Sequence, residues 1–135
     1  MQWNTSKHAG FTHGEPWIRV NPNYFEINAE EQLKNPESVY NYYKKLIQIR
    51  HKNDIVVYGT YDLLMPESEE VYAYTRTLGQ EKLLIVCNFT DRLVNYDIPR
   101  EFEERYKDVI VSNYEDDLGR NLRPYEAKVY KIVRR

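Results

Sequence analysis

The sequence predicts a mainly β protein: an antiparallel β-sandwich preceded by a long loop and one amphipathic helix. Three observations predict it. From Ile55 onward, β-branched and aromatic stretches are separated by short polar turns, the pattern of antiparallel strands. Between Ser38 and Asn53, apolar residues recur at three- and four-residue steps. Residues 1–27 show neither period, although they carry Trp3, Phe11, Trp17, Tyr24 and Phe25 among glycines and prolines.

Taken in order, the opening segment reads as a loop rich in aromatics. A loop of this length inside a compact domain belongs to a binding site or lies on another surface. Asn28 followed by Glu31 has capping-box spacing, which predicts a short helix over about Ala29 to Lys34, ending before Pro36. Ser38 caps the next helix, predicted to run to about Asn53. Val39, Tyr42, Tyr43, Leu46 and Ile49 form its apolar stripe, and Arg50, His51 and Lys52 oppose the negative end of its dipole.

The strands follow. Ile55 to Leu64, Val71 to Leu78 and Lys82 to Phe89 are predicted in turn, with Asp91-Arg92 joining the third as a hairpin to Leu93–Ile98. In that last segment Val94, Tyr96 and Ile98 alternate with Asn95 and Asp97. Lys107 to Val111, a turn at Asp116-Asp117-Leu118-Gly119, and Ala127 to Val133 complete the set.

Composition restricts function. At 135 residues the chain holds one ordinary domain, or a small domain with a piece of another, and 41% hydrophobic residues suffice for a core. Nineteen basic against twenty-one acidic residues leave a net charge of -2, so no basic excess exists to neutralise nucleic acid or an anionic membrane, and neither is an expected partner. No stretch has a signal peptide's pattern or a membrane span's length, and the single Cys87 cannot form an internal disulfide. A cytoplasmic setting is expected. The acceptor patterns at Asn4-Thr5-Ser6 and Asn88-Phe89-Thr90 are then chance matches.

Chemistry is hard to find by residue type. Glu69-Glu70, Glu103-Glu104 and Asp116-Asp117 sit in turns or loop-like stretches and read as solvated charge. His8 and His13 lack companion cysteines, with Glu15 the nearest acid, so no metal site and no cofactor are expected. Cys87 has no base beside it in its strand. The thirteen tyrosines are the unusual feature. Tyr40, Tyr42 and Tyr43 follow the helical period, and Tyr72, Tyr74 and Tyr96 follow strand alternation, so packing is the expected role. A flat exposed row of them would instead suit sugar stacking.

Met1-Gln2-Trp3-Asn4, His8-Ala9-Gly10-Phe11-Thr12, Gly14-Glu15-Pro16-Trp17-Ile18 and Val20-Asn21-Pro22-Asn23-Tyr24 together resemble the α-amylase superfamily of glycoside hydrolases, with most likeness to oligo-1,6-glucosidases and bacterial α-glucosidases. The likeness continues colinearly through Asn35-Pro36-Glu37-Ser38, Tyr42 to Ile47, Val57-Tyr58-Gly59 and Leu122 to Ala127.

The resemblance implies the loop after the last strand of a (β/α)8 barrel and the final barrel helix in residues 1–53, and the C-terminal antiparallel β domain in 54–135. It implies Gln2 and Trp3 at the rim of the substrate pocket, with Asn4 where Asp is usual. The family's nucleophilic Asp, acid/base Glu and third Asp lie on earlier strands. The chain is therefore expected to be an inactive C-terminal portion of a retaining α-glucosidase, partnered by the missing catalytic barrel. Two rival readings are a carbohydrate-binding β-sandwich module, and an interaction domain that self-associates through the exposed helix face.

Overall fold

The computed structural model describes residues 1–97, 99–103 and 107–133. It divides into two compact units, Met1–Ile49 and Arg50–Arg135.

In the first unit, two short 3₁₀ turns, Lys7–Gly10 and Pro22–Phe25, interrupt the opening loop and precede α1 (Ala29–Lys34). The predicted cap forms: Asn28 Oδ1 accepts from Glu31 N at 3.0 Å. The helix's first two N–H groups are also satisfied, because Ala29 N donates to Gln2 O and Glu30 N to Trp3 O, both at 2.9 Å. Helix α2 (Val39–Lys52) starts where predicted, with Ser38 Oγ accepting from Asn41 N at 3.2 Å. None of its side chains is buried, and Val39 and Tyr43 are 68% and 63% exposed.

The second unit is an antiparallel sheet of five strands in the order β1-β2-β3-β7-β5, covered on one face by the two-stranded β4-β6. The five are β1 (Thr60–Leu64), β2 (Val71–Leu78), β3 (Glu81–Asn88), β5 (Lys107–Ser112) and β7 (Ala127–Val133); the pair is β4 (Val94–Asn95) and β6 (Asn121–Leu122). Val71 and Ala73 of β2, Leu84 and Val86 of β3, and Tyr130 and Ile132 of β7 meet Val94, Tyr96, Phe102 and Leu122 in the core. Each fully buried large side chain there contributes about 1.5–3 kcal/mol.

Two predicted elements differ. Residues at the start of the Ile55–Leu64 strand form helix α3 (Asp54–Tyr58) instead. Local β-branching loses to packing here: Ile55 is fully buried, and Arg76 of β2 donates through Nε to Ile55 O at 3.2 Å and through Nη2 to Gly59 O at 2.7 Å and Val57 O at 3.3 Å. Gly59 is required by this closeness, since a Cβ there would stand 2.5 Å from Ile55 O.

The hairpin joining Lys82–Phe89 to Leu93–Ile98 does not form either. The neighbours of β3 are β2 and β7, whereas β4 pairs with β6. Asn88, buried, diverts the chain: its Nδ2 donates to Arg92 O and Arg123 O at 2.8 Å, and its Oδ1 accepts from Thr90 N at 2.8 Å. The alternation survives in Val94 and Tyr96, both buried, while Ile98 lies outside the described residues.

Candidate functional site

The residues singled out in the opening loop, Gln2 and Trp3, adjoin each other on a segment locked from both sides. Trp3 N donates to Ala9 O at 2.8 Å, and the Gln2 side chain donates to Asn23 Oδ1 at 3.1 Å and to Ile27 O. Gln2 thus spends its amide on holding the loop against the entry to α1. It also lines an open groove of about 510 Å³ with Phe11, Trp17, Ile18 and Arg19; Trp3 stands outside that lining, half exposed.

Backbone conformation shapes this loop. His8, Ala9 and Gly10 take left-handed φ values of 56°, 54° and 70° in succession. Ala9 is nonetheless buried, and its carbonyl accepts from Trp3 N and Asn4 N. Gly10 is needed, because a Cβ would meet Asn4 Oδ1 at 2.5 Å. Asn4 Oδ1 also accepts from Ser6 N at 3.0 Å, so its amide acts as the turn's acceptor. His8 Nε2 lies 3.5 Å from Glu15 Oε2. Among the described residues, no three His, Cys, Asp or Glu side chains gather as a metal-ligand set, and no helix is long and apolar enough to cross a membrane.

In the second unit each acidic pair supplies at least one ion-pair partner. Glu70 pairs with Arg92, Glu103 with Arg120 and Asp116 with Arg123; Glu104 lies outside the described residues. Asp117 departs most from the solvated-charge reading. It accepts from Lys128 Nζ and from Tyr130 OH, both at 2.7 Å, and Lys128 is 1% exposed. Burial pushes its carboxyl up, but the bonds from Lys128, Tyr130 and Gly119 N–H outweigh that and hold it below the ordinary carboxylate value. Buried Glu126 stands 3.5 Å from the same ammonium and accepts from Arg123 N at 2.7 Å. Sequence reading missed this cluster, because a Lys in strand alternation reads as surface.

The tyrosines divide. Tyr96 and Tyr130 are core residues, whereas Tyr72 and Tyr74 stand on the sheet's other face, away from the β4-β6 cover, beside Tyr61. The signal lay in their neighbours: Val71, Ala73 and Thr75 are the buried set of β2. Tyr61 and Tyr72 hydroxyls are 3.2 Å apart, and this hydrogen bond pushes the Tyr61 phenol up to about 12. Cys87, opposite Tyr72 in register, is half-buried, and burial raises its thiol. The acceptor Asn88 is consumed by its hydrogen bonds.

Comparison with known proteins gives two colinear family matches. Residues 1–59 match the alpha amylase catalytic domain, and residues 71–129 match the alpha-amylase SusG C-terminal domain. The chain is 49% identical to an oligo-1,6-glucosidase of Parageobacillus thermoglucosidasius, over 98% of this chain and 24% of that protein. It is 40% identical to a trehalose-6-phosphate hydrolase of Bacillus subtilis strain 168, over 99% of this chain and 25% of that protein. Among solved structures, a Bacillus licheniformis trehalose-6-phosphate hydrolase superposes with a TM-score of 0.89 at 39% identity, over 98% of this chain and 25% of that one. An isomaltulose synthase from Klebsiella sp. LX3 gives 0.86 at 43%, over 97% and 24%. The chain therefore spans about a quarter of the length of the relatives it matches.

Proposed function

Because the chain belongs to the α-amylase superfamily of glycoside hydrolases, we propose that it serves as the C-terminal portion of a retaining α-glucosidase acting on short α-glucosidic oligosaccharides. Residues 1–53 complete the edge of the catalytic barrel, and residues 54–135 form the β domain that stabilises it. The single observation that carries this reading is the match of 98% of the chain to an oligo-1,6-glucosidase at 49% identity.

In this reading Gln2 and Trp3 stand at the rim of the substrate pocket. Support comes from the groove beside Gln2, whose aromatic lining by Phe11 and Trp17 suits the apolar face of a sugar ring. The bond-breaking acids come from the rest of the enzyme, since retaining hydrolysis needs two carboxyl groups about 5 Å apart across one glycosidic bond. The chain alone is inactive.

The test is hydrolysis of p-nitrophenyl α-glucoside by the purified 135-residue chain. No turnover is expected. Activity that persists through purification and co-elutes with the chain would overturn the reading. A carbohydrate-binding β-sandwich module is the second reading; its mark would be a flat exposed aromatic row, whereas the Tyr61, Tyr74 and Tyr72 rings are tilted by 37° and 45°. Saturable quenching of tryptophan fluorescence by isomaltose would support it.

A further inference from the structure

Strand alternation turns Lys128 into the core of the second unit. Lys128, Tyr130 and Ile132 are the buried residues of β7, and Lys128 is 1% exposed. A lysine in that row carries its charge into a low-dielectric interior, which is stable only when oxygens surround the ammonium. Four do. Asp117 Oδ1 lies 2.7 Å from Nζ, Gly119 O 3.2 Å, Asn121 O 3.4 Å and Glu126 Oε1 3.5 Å. The ring centroids of Tyr130 and Tyr96 stand 5.6 and 6.0 Å from the same nitrogen. We propose that these groups form a binding site for a primary ammonium ion, which the protein fills with its own Lys128 as a tethered ligand. The proposal stands apart from the family reading.

Glu126 is the first sign that a cation belongs here. It is fully buried, and its Oε2 accepts from Arg123 N at 2.7 Å, but among the described residues its Oε1 makes no hydrogen bond. That oxygen faces the Lys128 ammonium, with Arg123 Nη1 farther off at 3.9 Å. A buried carboxylate oxygen so placed is balanced by charge, not by a donor of its own. The turn is the second sign. Gly119, at a left-handed φ of 62°, and Asn121 of β6 both aim their carbonyls at the ammonium, so the cation gathers the segment that leads into the β4-β6 cover.

The surroundings select the kind of cation. Oxygens at 2.7–3.5 Å lie beyond the about 2.3–2.6 Å of calcium ligands. Two aromatic rings close the remaining sides, where a divalent ion would take water or oxygen and an organic ammonium finds favourable π-faces. The Asp117 side chain is 29% exposed, which leaves a way in from solvent on its side.

The test removes the tether and returns the ligand. Lys128→Ala deletes Cγ to Nζ, the atoms of n-propylammonium. In the 135-residue chain, about 100 mM propylammonium chloride should raise the variant's melting temperature by about 5 °C or more over equal sodium chloride, saturating with concentration, and leave the unsubstituted chain within about 1 °C. Tetramethylammonium chloride matches the charge without N–H groups, and 1-propanol matches the chain without the charge; each should give less than about a third of that gain. Adding Asp117→Asn should raise the propylammonium concentration for half the gain at least about tenfold.

A gain equal with tetramethylammonium would identify a salt effect, and one equal with 1-propanol mere filling of a cavity; either overturns the proposal. So does a larger gain with calcium chloride, which would identify a divalent site, or a propylammonium gain indifferent to Asp117→Asn. Should Lys128→Ala be unfolded in sodium chloride, propylammonium must restore its circular dichroism, and a chain that stays unfolded in both salts overturns the proposal as well.

Discussion

Replacing Lys128 by methionine should be among the most damaging single changes in the second unit. The side chain is 1% exposed, and its ammonium donates to Asp117 Oδ1 at 2.7 Å and Gly119 O at 3.2 Å, with Glu126 Oε1 at 3.5 Å. Methionine keeps most of the volume, so the cavity cost is small. What remains is Asp117 and fully buried Glu126 without the ammonium they share, Glu126 keeping only the Arg123 guanidinium at 3.9 Å. Breaking a buried pair by removing one partner costs about 3–5 kcal/mol. Against a domain stability of about 5–15 kcal/mol, that is a large share.

Urea denaturation followed by circular dichroism measures the change, with a second arm that isolates its cause. Lys128→Met combined with Asp117→Asn should recover about half of the loss, because a neutral amide no longer needs the cation. A Lys128→Met cost below about 1 kcal/mol, or strict additivity in the double variant, would refute the buried-pair reasoning.

Two further predictions concern the acid limb and the opening loop. The Asp117 carboxyl is held below its ordinary value in the fold, so its contribution is present above the unfolded value of about 3.9 and is lost as pH falls through the lower folded value. Lys128→Met removes the depressing partner and leaves burial, which should move the acid-unfolding midpoint upward; an unchanged midpoint would contradict this. Gly10→Ala forces a left-handed φ on a Cβ-bearing residue and drives it into Asn4, which should cost about 1–2 kcal/mol locally and speed amide exchange at Ser6 and Ala9. Unaltered exchange at both would count against it.

Much of the fold was legible in the sequence, for local reasons. Asn28 with Glu31 and Ser38 ahead of Val39 specify their helix starts through bonds spanning three residues, and both bonds form. Strands β2 and β7 announce themselves by alternation, and their predicted ranges, Val71–Leu78 and Ala127–Val133, match. What escaped depends on distant partners. Ile55-Val56-Val57 reads as strand until Arg76, some twenty residues on, gathers its carbonyls. The two-residue β4 and β6 lie apart in sequence, and each is too short to carry a period. At the candidate site, Gln2 and Trp3 were picked out through family likeness, since no spacing rule reveals that their carbonyls cap α1. Tyr72 and Tyr74 were legible as strand residues, but not the face they occupy, because alternation assigns sides without saying which side is covered.

The run His8-Ala9-Gly10 winds in the mirror sense of ordinary helix, and only its last member is achiral. For the first two, an amino acid of opposite chirality would be the relaxed choice and the natural L-form the constrained one. The bend that presents Trp3 is therefore a place where ribosomal chemistry limits what the backbone would prefer. A semisynthetic chain carrying D-alanine at position 9 would hold the same curve with less internal opposition.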